Sequence, residues 1–221
     1  MSRCATAVLA AATVILCSPR AWAGAGAYLV DDASITPAGH CQVQSWAQAF
    51  SGGQKALNTL PACSTGPVEW SLGAAGQNHP YQHQESPAVK WMLRDPSAHP
   101  LGAAINVGAT WSNGHVQSRN TYAALTWTPP GQQQWSVNAD VGAFWSRDRK
   151  WQTLLGLGLK YKLTPHLAIV AEHIHPWVGA ATSQAGLRWT FRNNDSVDVI
   201  VGHGSVAAHD RWLTFGLNVG F

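Results

Sequence analysis

Residues 151–162 read WQTLLGLGLKYK. Trp151, Leu155, Leu157, Leu159 and Tyr161 occupy one set of alternate positions, and Gln152, Gly156, Gly158, Lys160 and Lys162 the other. A period of two belongs to a β-strand, whose successive side chains point to opposite faces. The stretch before it, 136–145, repeats the pattern, with Val137, Ala139, Val141, Ala143 and Trp145 against Ser136, Asn138, Asp140 and Gly142. Further matches are Val68/Trp70/Leu72/Ala74, Val89/Trp91/Leu93, Ala103/Ile105/Val107/Ala109/Trp111, Ala185/Leu187/Trp189/Phe191, Val197/Val199/Val201 and Leu213/Phe215/Leu217/Val219/Phe221.

Such alternation suits either a membrane barrel, oily outside and polar within, or a secreted sandwich of two sheets. Composition favours the barrel. Charged residues are 11% of the 221-residue chain, against about 25% in ordinary globular domains. There are 12 Trp and 21 Gly, and no apolar run beyond the leader is long enough for a transmembrane helix. A closed barrel satisfies its backbone groups strand to strand, so alternation is all it needs. The expected fold is all-β, a transmembrane antiparallel up-and-down β-barrel of about 12 strands.

The strand count rests on the first hairpin. If 41–50 and 55–63 are antiparallel strands joined by SGGQ, with Gly52-Gly53 as a permissive turn, paired positions sum to 104 and Cys41 faces Cys63. A cross-strand disulfide is expected there. Turn signals at STGP (64–67), DPSAHP (95–100), SNG (112–114), TPPGQ (128–132), LTPH (163–166) and RNNDS (192–196) separate the later runs. An even number of strands returns both termini to the periplasmic side. Short periplasmic turns at 64–67, 163–166 and 193–196 and longer outer loops around 77–84, 113–118, 176–183 and 204–210 are expected. Trp127, Trp135, Tyr161, Phe191 and Phe221 then form one aromatic girdle, and Trp111, Trp145, Trp151 and Trp177 the other.

At the front, Arg3, an apolar run over 5–16 and Ala21-Trp22-Ala23 read as a secretory signal peptide, 1–23, cleaved after Ala23. A lipoprotein anchored through Cys17 is the runner-up, against which Leu16 is too large for the usual lipobox. An N-terminal periplasmic arm, 24–40, and the barrel, 41–221, follow. Removing Arg3 and Arg20 from the 14 basic residues leaves 12 against 11 acidic ones, so nothing points to a nucleic-acid partner. Cys41 and Cys63 remain as an even pair in an oxidising compartment. No cofactor is expected. The partners expected are outer-membrane lipid, the barrel-assembly machinery during insertion, and a small-molecule solute.

Two resemblances add to this. The oily last strand, Phe215, Leu217, Val219 and a final Phe221, resembles the C-terminal signal of bacterial outer-membrane proteins, which the insertion machinery reads as an added strand. The segment AYLVDDASITPAGHCQVQSW (27–46), with LPAC (60–63) and VEWSLGAA (68–75), resembles the small proteobacterial outer-membrane barrels related to the phenol-degradation-cluster barrel family. That resemblance implies fold and membrane, with a channel role presumed for some members, and carries over no catalytic residues.

Strict alternation points Glu69, Lys90, Arg94, Asp140, Lys160, Lys162, Glu172, Arg188, Arg192 and Asp198 inward. Two readings stay open: a polar pore richer in cations than anions, suited to anionic or polar aromatic solutes, or a plug-free but crowded lumen crosslinked by ion pairs. The pair His173 and His175, and the group His203, Ser205, His209 and Asp210, raise metal binding and nucleophilic catalysis, and neither spacing fixes a third partner. Asp31 and Asp32 raise a cation site or a periplasmic-partner site, but the expectation is that they solvate the arm, with Ile35 tucked toward the barrel mouth. The functional expectation is a passive outer-membrane channel or transporter, not an enzyme. The alternatives are a lipid-modifying hydrolase using His203 and Ser205, and a non-conducting structural barrel.

Overall fold

The structure, a computed structural model, describes residues 27–78, 81–147, 150–177, 180–191, 195–204 and 211–221. Twelve strands follow one another: β1 (Cys41–Phe50), β2 (Lys55–Thr65), β3 (Val68–Gln77), β4 (Gln82–Arg94), β5 (Leu101–Ser112), β6 (His115–Trp127), β7 (Trp135–Ser146), β8 (Lys150–Lys162), β9 (Leu167–Trp177), β10 (Ala180–Phe191), β11 (Asp195–Gly204) and β12 (Arg211–Gly220). Each pairs antiparallel with its chain neighbours, and β12 pairs with β1 to close the barrel. An even strand number makes that last pairing antiparallel like the others, so no edge is left exposed. Cys41 lies opposite Cys63 and the two are bonded, with Cα atoms 4.0 Å apart, in the register summing to 104.

Burial is inverted relative to a soluble protein. Asp140 is 2% exposed while its neighbour Val141 is 51% exposed, and the same alternation runs round the wall. Gln42, Gln44, Glu69, Lys90, Glu172, Gln184, Asp198 and Thr214 are buried, whereas Trp70, Leu72, Val107, Leu157, Leu187 and Phe215 are open on the outside. Apolar side chains left outward and polar ones gathered within are the signature of a barrel solvated by lipid. At the end of the barrel that holds the termini, Trp70, Trp91, Trp127, Trp189 and Phe221 are exposed, and the rings of Trp135 and Tyr161 lie 4.3 Å apart.

Three expectations are corrected. Two of the far-end connections are shorter than expected: β3 and β4 continue to Gln77 and from Gln82, and β5 and β6 are joined by Asn113-Gly114 alone, while the connection expected at 204–210 falls between β11 and β12 and lies, from 205 to 210, outside the described residues. Both of those residues have positive φ, 52° and 72°, as a two-residue hairpin turn of the I′ type requires. Strand rims such as 82–86, with Gln84 inside and Glu85 outside, read as loop because both faces are polar. Loop length therefore does not tell the two ends apart, since 95–100 and 128–134 at the terminal end are as long as anything opposite. Second, a register shift between Met92 and Arg94 pairs Arg94 with Ala103, on the face shared with Leu101 and Ile105. A bulge moves every later residue to the other face, so Arg94 is exposed at the outer rim instead of lining the lumen.

The third correction concerns the arm. Tyr28, Leu29, Asp31, Ala33 and Thr36 make hydrogen bonds to side chains of β3, β4, β6, β7, β9 and β11. Contact with strands all round the barrel is possible only from inside it. Asp31 is buried in the lumen instead of being solvated, and Ile35 is buried as expected.

Candidate functional site

The arm crosses the lumen with bends at Leu29, Val30 and Ala33, and its alternate N–H groups from Leu29 to Ala33 face the wall. Leu29 N donates to Glu172 Oε2 at 2.8 Å, Asp31 N to Asp140 Oδ2 at 2.9 Å and Ala33 N to Thr126 Oγ1 at 2.8 Å. Thr36 then donates from N and Oγ1 to Glu69 Oε2, at 2.7 and 2.6 Å. A strand would find carbonyls in a neighbour; here carboxylates and a hydroxyl on four different strands take their place. Each N–H thus finds its acceptor on a side chain of the wall, and the arm is held without a ladder of its own.

Charged side chains hold this segment at its middle and at its Tyr28 end. Lys90 Nζ donates to Asp31 Oδ1 at 2.9 Å with both side chains buried, and the Tyr122 hydroxyl donates to Asp31 Oδ2 at 3.2 Å. Arg188 and Asp198, directly paired across β10 and β11, form a two-pronged ion pair at 2.8 and 3.0 Å. The Tyr28 hydroxyl donates to that same Asp198 at 2.8 Å, and its ring lies 4.5 Å from the Arg188 guanidinium carbon. Gln184 donates to both the Ala27 carbonyl and Glu172.

Space for the arm comes from the small inward residues of β8. A Cβ placed on Gly156 would stand 3.1 Å from Val30 Cγ2, and one on Gly158 3.4 Å from Val30 Cβ. Above the charged layer, toward the far end, Phe144, Leu154 and Ile174 point inward and form an apolar cluster on which Leu29 and Tyr122 pack. Below it, two adjoining cavities of about 480 and about 210 Å3 share Lys160 and Lys162 on their walls. The first is lined also by Ser34, Thr128, Ser136 and Gln134, the second by His166, Arg188 and Asn218. Among the described residues neither lysine makes an ion pair.

Of the residues expected to line the lumen, Glu69, Lys90, Asp140, Glu172, Arg188 and Asp198 converge on the arm. Lys160 and Lys162 stand apart at the terminal mouth. Arg94 faces outward, and Arg192 lies outside the described residues, as do the leader, Ser205, His209 and Asp210, and the side chain of Trp177. His173 is exposed on the outer wall, and its Nδ1 is 2.8 Å from Ser183 Oγ. The arm's own contacts, Tyr28 through Thr36, were not anticipated. Their signal is present nonetheless: four inward carboxylates and two inward glycines on β8 make poor sense in an empty lumen.

Comparison with solved structures gives the KdgM porin at TM-score 0.64 and 11% identity, covering 81% of this chain and 98% of that one. A KdgM porin in complex with disordered oligogalacturonate gives 0.62 at 11% identity, over the same shares. The NanC porin gives 0.59 at 8% identity, covering 82% and 98%. At such identities these likenesses speak for the fold. No curated protein matches the chain. The family model described as Uncharacterised conserved protein UCP029691 matches residues 12–221, nearly the whole length, and the chain is a member of that family.

Proposed function

We propose that the protein is an outer-membrane channel for small anionic solutes, closed by its own N-terminal arm in the conformation seen here. The observation that carries this is the arm's attachment: it spans the lumen through side-chain bonds that can be exchanged for water, and not through a strand ladder. The porin fold, the apolar outer wall and Lys160 and Lys162 in the terminal vestibule, without an ion pair among the described residues, support it. So does the likeness to KdgM, of which one structure is a complex with oligogalacturonate. The proposal includes export with loss of residues 1–23, insertion by the barrel-assembly machinery, a periplasmic terminal end, and kinship with the phenol-degradation-cluster barrels through 27–46.

A second reading, a non-conducting structural barrel, is favoured by the apolar cluster of Phe144, Leu154 and Ile174, which narrows the lumen beyond the arm. Planar-bilayer recording of the refolded protein separates the two. The wild type should open rarely. Glu69→Gln with Glu172→Gln should raise the open fraction, and Lys160→Glu with Lys162→Glu should move the reversal potential toward cation preference. Silence of all three, with each shown to be folded by heat-modifiable gel migration, would leave the structural barrel.

A further inference from the structure

On the outer wall near the far end, the ladder registers place His173, Ser183, His203 and Arg211 side by side on β9, β10, β11 and β12. All four are exposed on the outer face, which these strands otherwise fill mainly with apolar and aromatic side chains, His175 of β9 being a further polar residue on it in this half. Polar groups on a lipid-facing wall are costly unless they are used. Ser183 and His173 satisfy each other at 2.8 Å, and His203 and Arg211 make no described ion pair.

The next row toward the termini is Leu159, Ala171, Ala185, Val201 and Leu213, again in continuous register. Two alanines between larger residues leave a trough, and the space there measures about 880 Å3. Ile169 and Leu187, paired with each other, form the row beyond. The site thus has a cationic head, a hydrogen-bonding shoulder and an apolar slot running down the wall. Among the described residues of β9 to β12, no acidic side chain faces outward in this half.

We infer that this wall holds one phosphate-bearing membrane lipid, its phosphate against Arg211 and His203 and an acyl chain in the trough over Ala171 and Ala185. Arg is suited to the phosphate through its forked donors, and burial of each methylene in the slot adds to the attraction. The inference rests on the barrel lying in a membrane, as proposed above, but not on its conducting.

The test is native mass spectrometry of the full mature protein refolded in detergent, titrated with phosphatidylglycerol, with diacylglycerol of the same chains, and with inorganic phosphate. One phosphatidylglycerol should be retained about tenfold more tightly than diacylglycerol, the weight of one good charge-assisted contact. Equimolar inorganic phosphate should not displace it. Arg211→Gln with His203→Gln should erase the preference for phosphate. Ala185→Phe, which fills the slot and leaves every charge in place, should weaken both lipids. Arg119→Gln should change nothing, since Arg119 lies over Trp145 on another wall. Equal retention of the two lipids, displacement by free phosphate, or loss on Arg119→Gln equal to that on Arg211→Gln would overturn the site. Heat-modifiable migration of each variant separates these outcomes from failure of the barrel reading itself.

Discussion

Gly156 shows how one residue type can mislead. In WQTLLGLGLKYK the glycines read as fillers of a polar face, but they are the floor on which Val30 rests, 3.1 Å from where a Cβ on Gly156 would be. Gly156→Leu should therefore expel the arm. The expected result is a new proteolytic cut between Ala27 and His40 in the refolded protein, with the barrel band intact; an uncut arm would mean the lumen has slack that the packing does not show. Lys90→Met should act on the same contact from the other side, because it leaves the Asp31 carboxylate buried with Tyr122 as its remaining donor. Removing one partner of a buried ion pair costs about 3–5 kcal/mol, which the arm avoids by leaving. Lys90→Met combined with Asp31→Leu should restore protection from the protease. At this scale the sequence was legible wherever facing depended on parity alone, as at Glu69, Asp140 and Glu172. Arg94 was not, because a bulge leaves no mark in an alternating pattern, and Asp31 was not, because its partners are 59 to 109 residues away.

The elements were legible for a different reason. Hairpin registers follow from turn length, so the Cys41–Cys63 pairing could be computed, and the closure of β1 on β12 follows once the count is even. Rims were illegible because a strand that has left the oily belt is polar on both faces, like a loop. The seam depends on the last residue: Phe221 N donates to the Cys41 carbonyl and Cys41 N to the Phe221 carbonyl, both at 2.9 Å. Phe221 is outward with Phe215 and Leu217, whereas Asn218 is buried within. Deleting Phe221 should lower the membrane-inserted yield more than Asn218→Ser, since it removes both the terminal pair of the seam and the last lipid-facing ring. Equal heat-modifiable yields from the two variants would detach insertion from this strand end.

For the whole molecule, the disulfide sits where three parts meet. Cys41 is bonded to Cys63, paired by its backbone with Phe221, and directly follows the arm, whose Gly39 N donates to the Ser64 carbonyl at 2.8 Å. The bond therefore ties the first hairpin, the closing seam and the exit of the arm at one end of the barrel. Crosslinking two positions 22 residues apart restricts the unfolded chain by about 3 kcal/mol in the loop-entropy account. Cys41→Ser with Cys63→Ser should accordingly lower the temperature at which the compact gel band is lost, by several degrees. Every ladder bond of the barrel is independent of the two sulfurs, so the double variant should still insert and still give the compact band at low temperature. Because the arm's anchors from Tyr28 to Thr36 are side chains of β3, β4, β6, β7, β9 and β11 and involve neither sulfur, its resistance to protease below the transition should persist as well. A variant that melts with the wild type would show that the seam is held by its ladder alone. One that loses the arm's protection at low temperature would show that the disulfide, and not the charged layer, keeps the lumen closed.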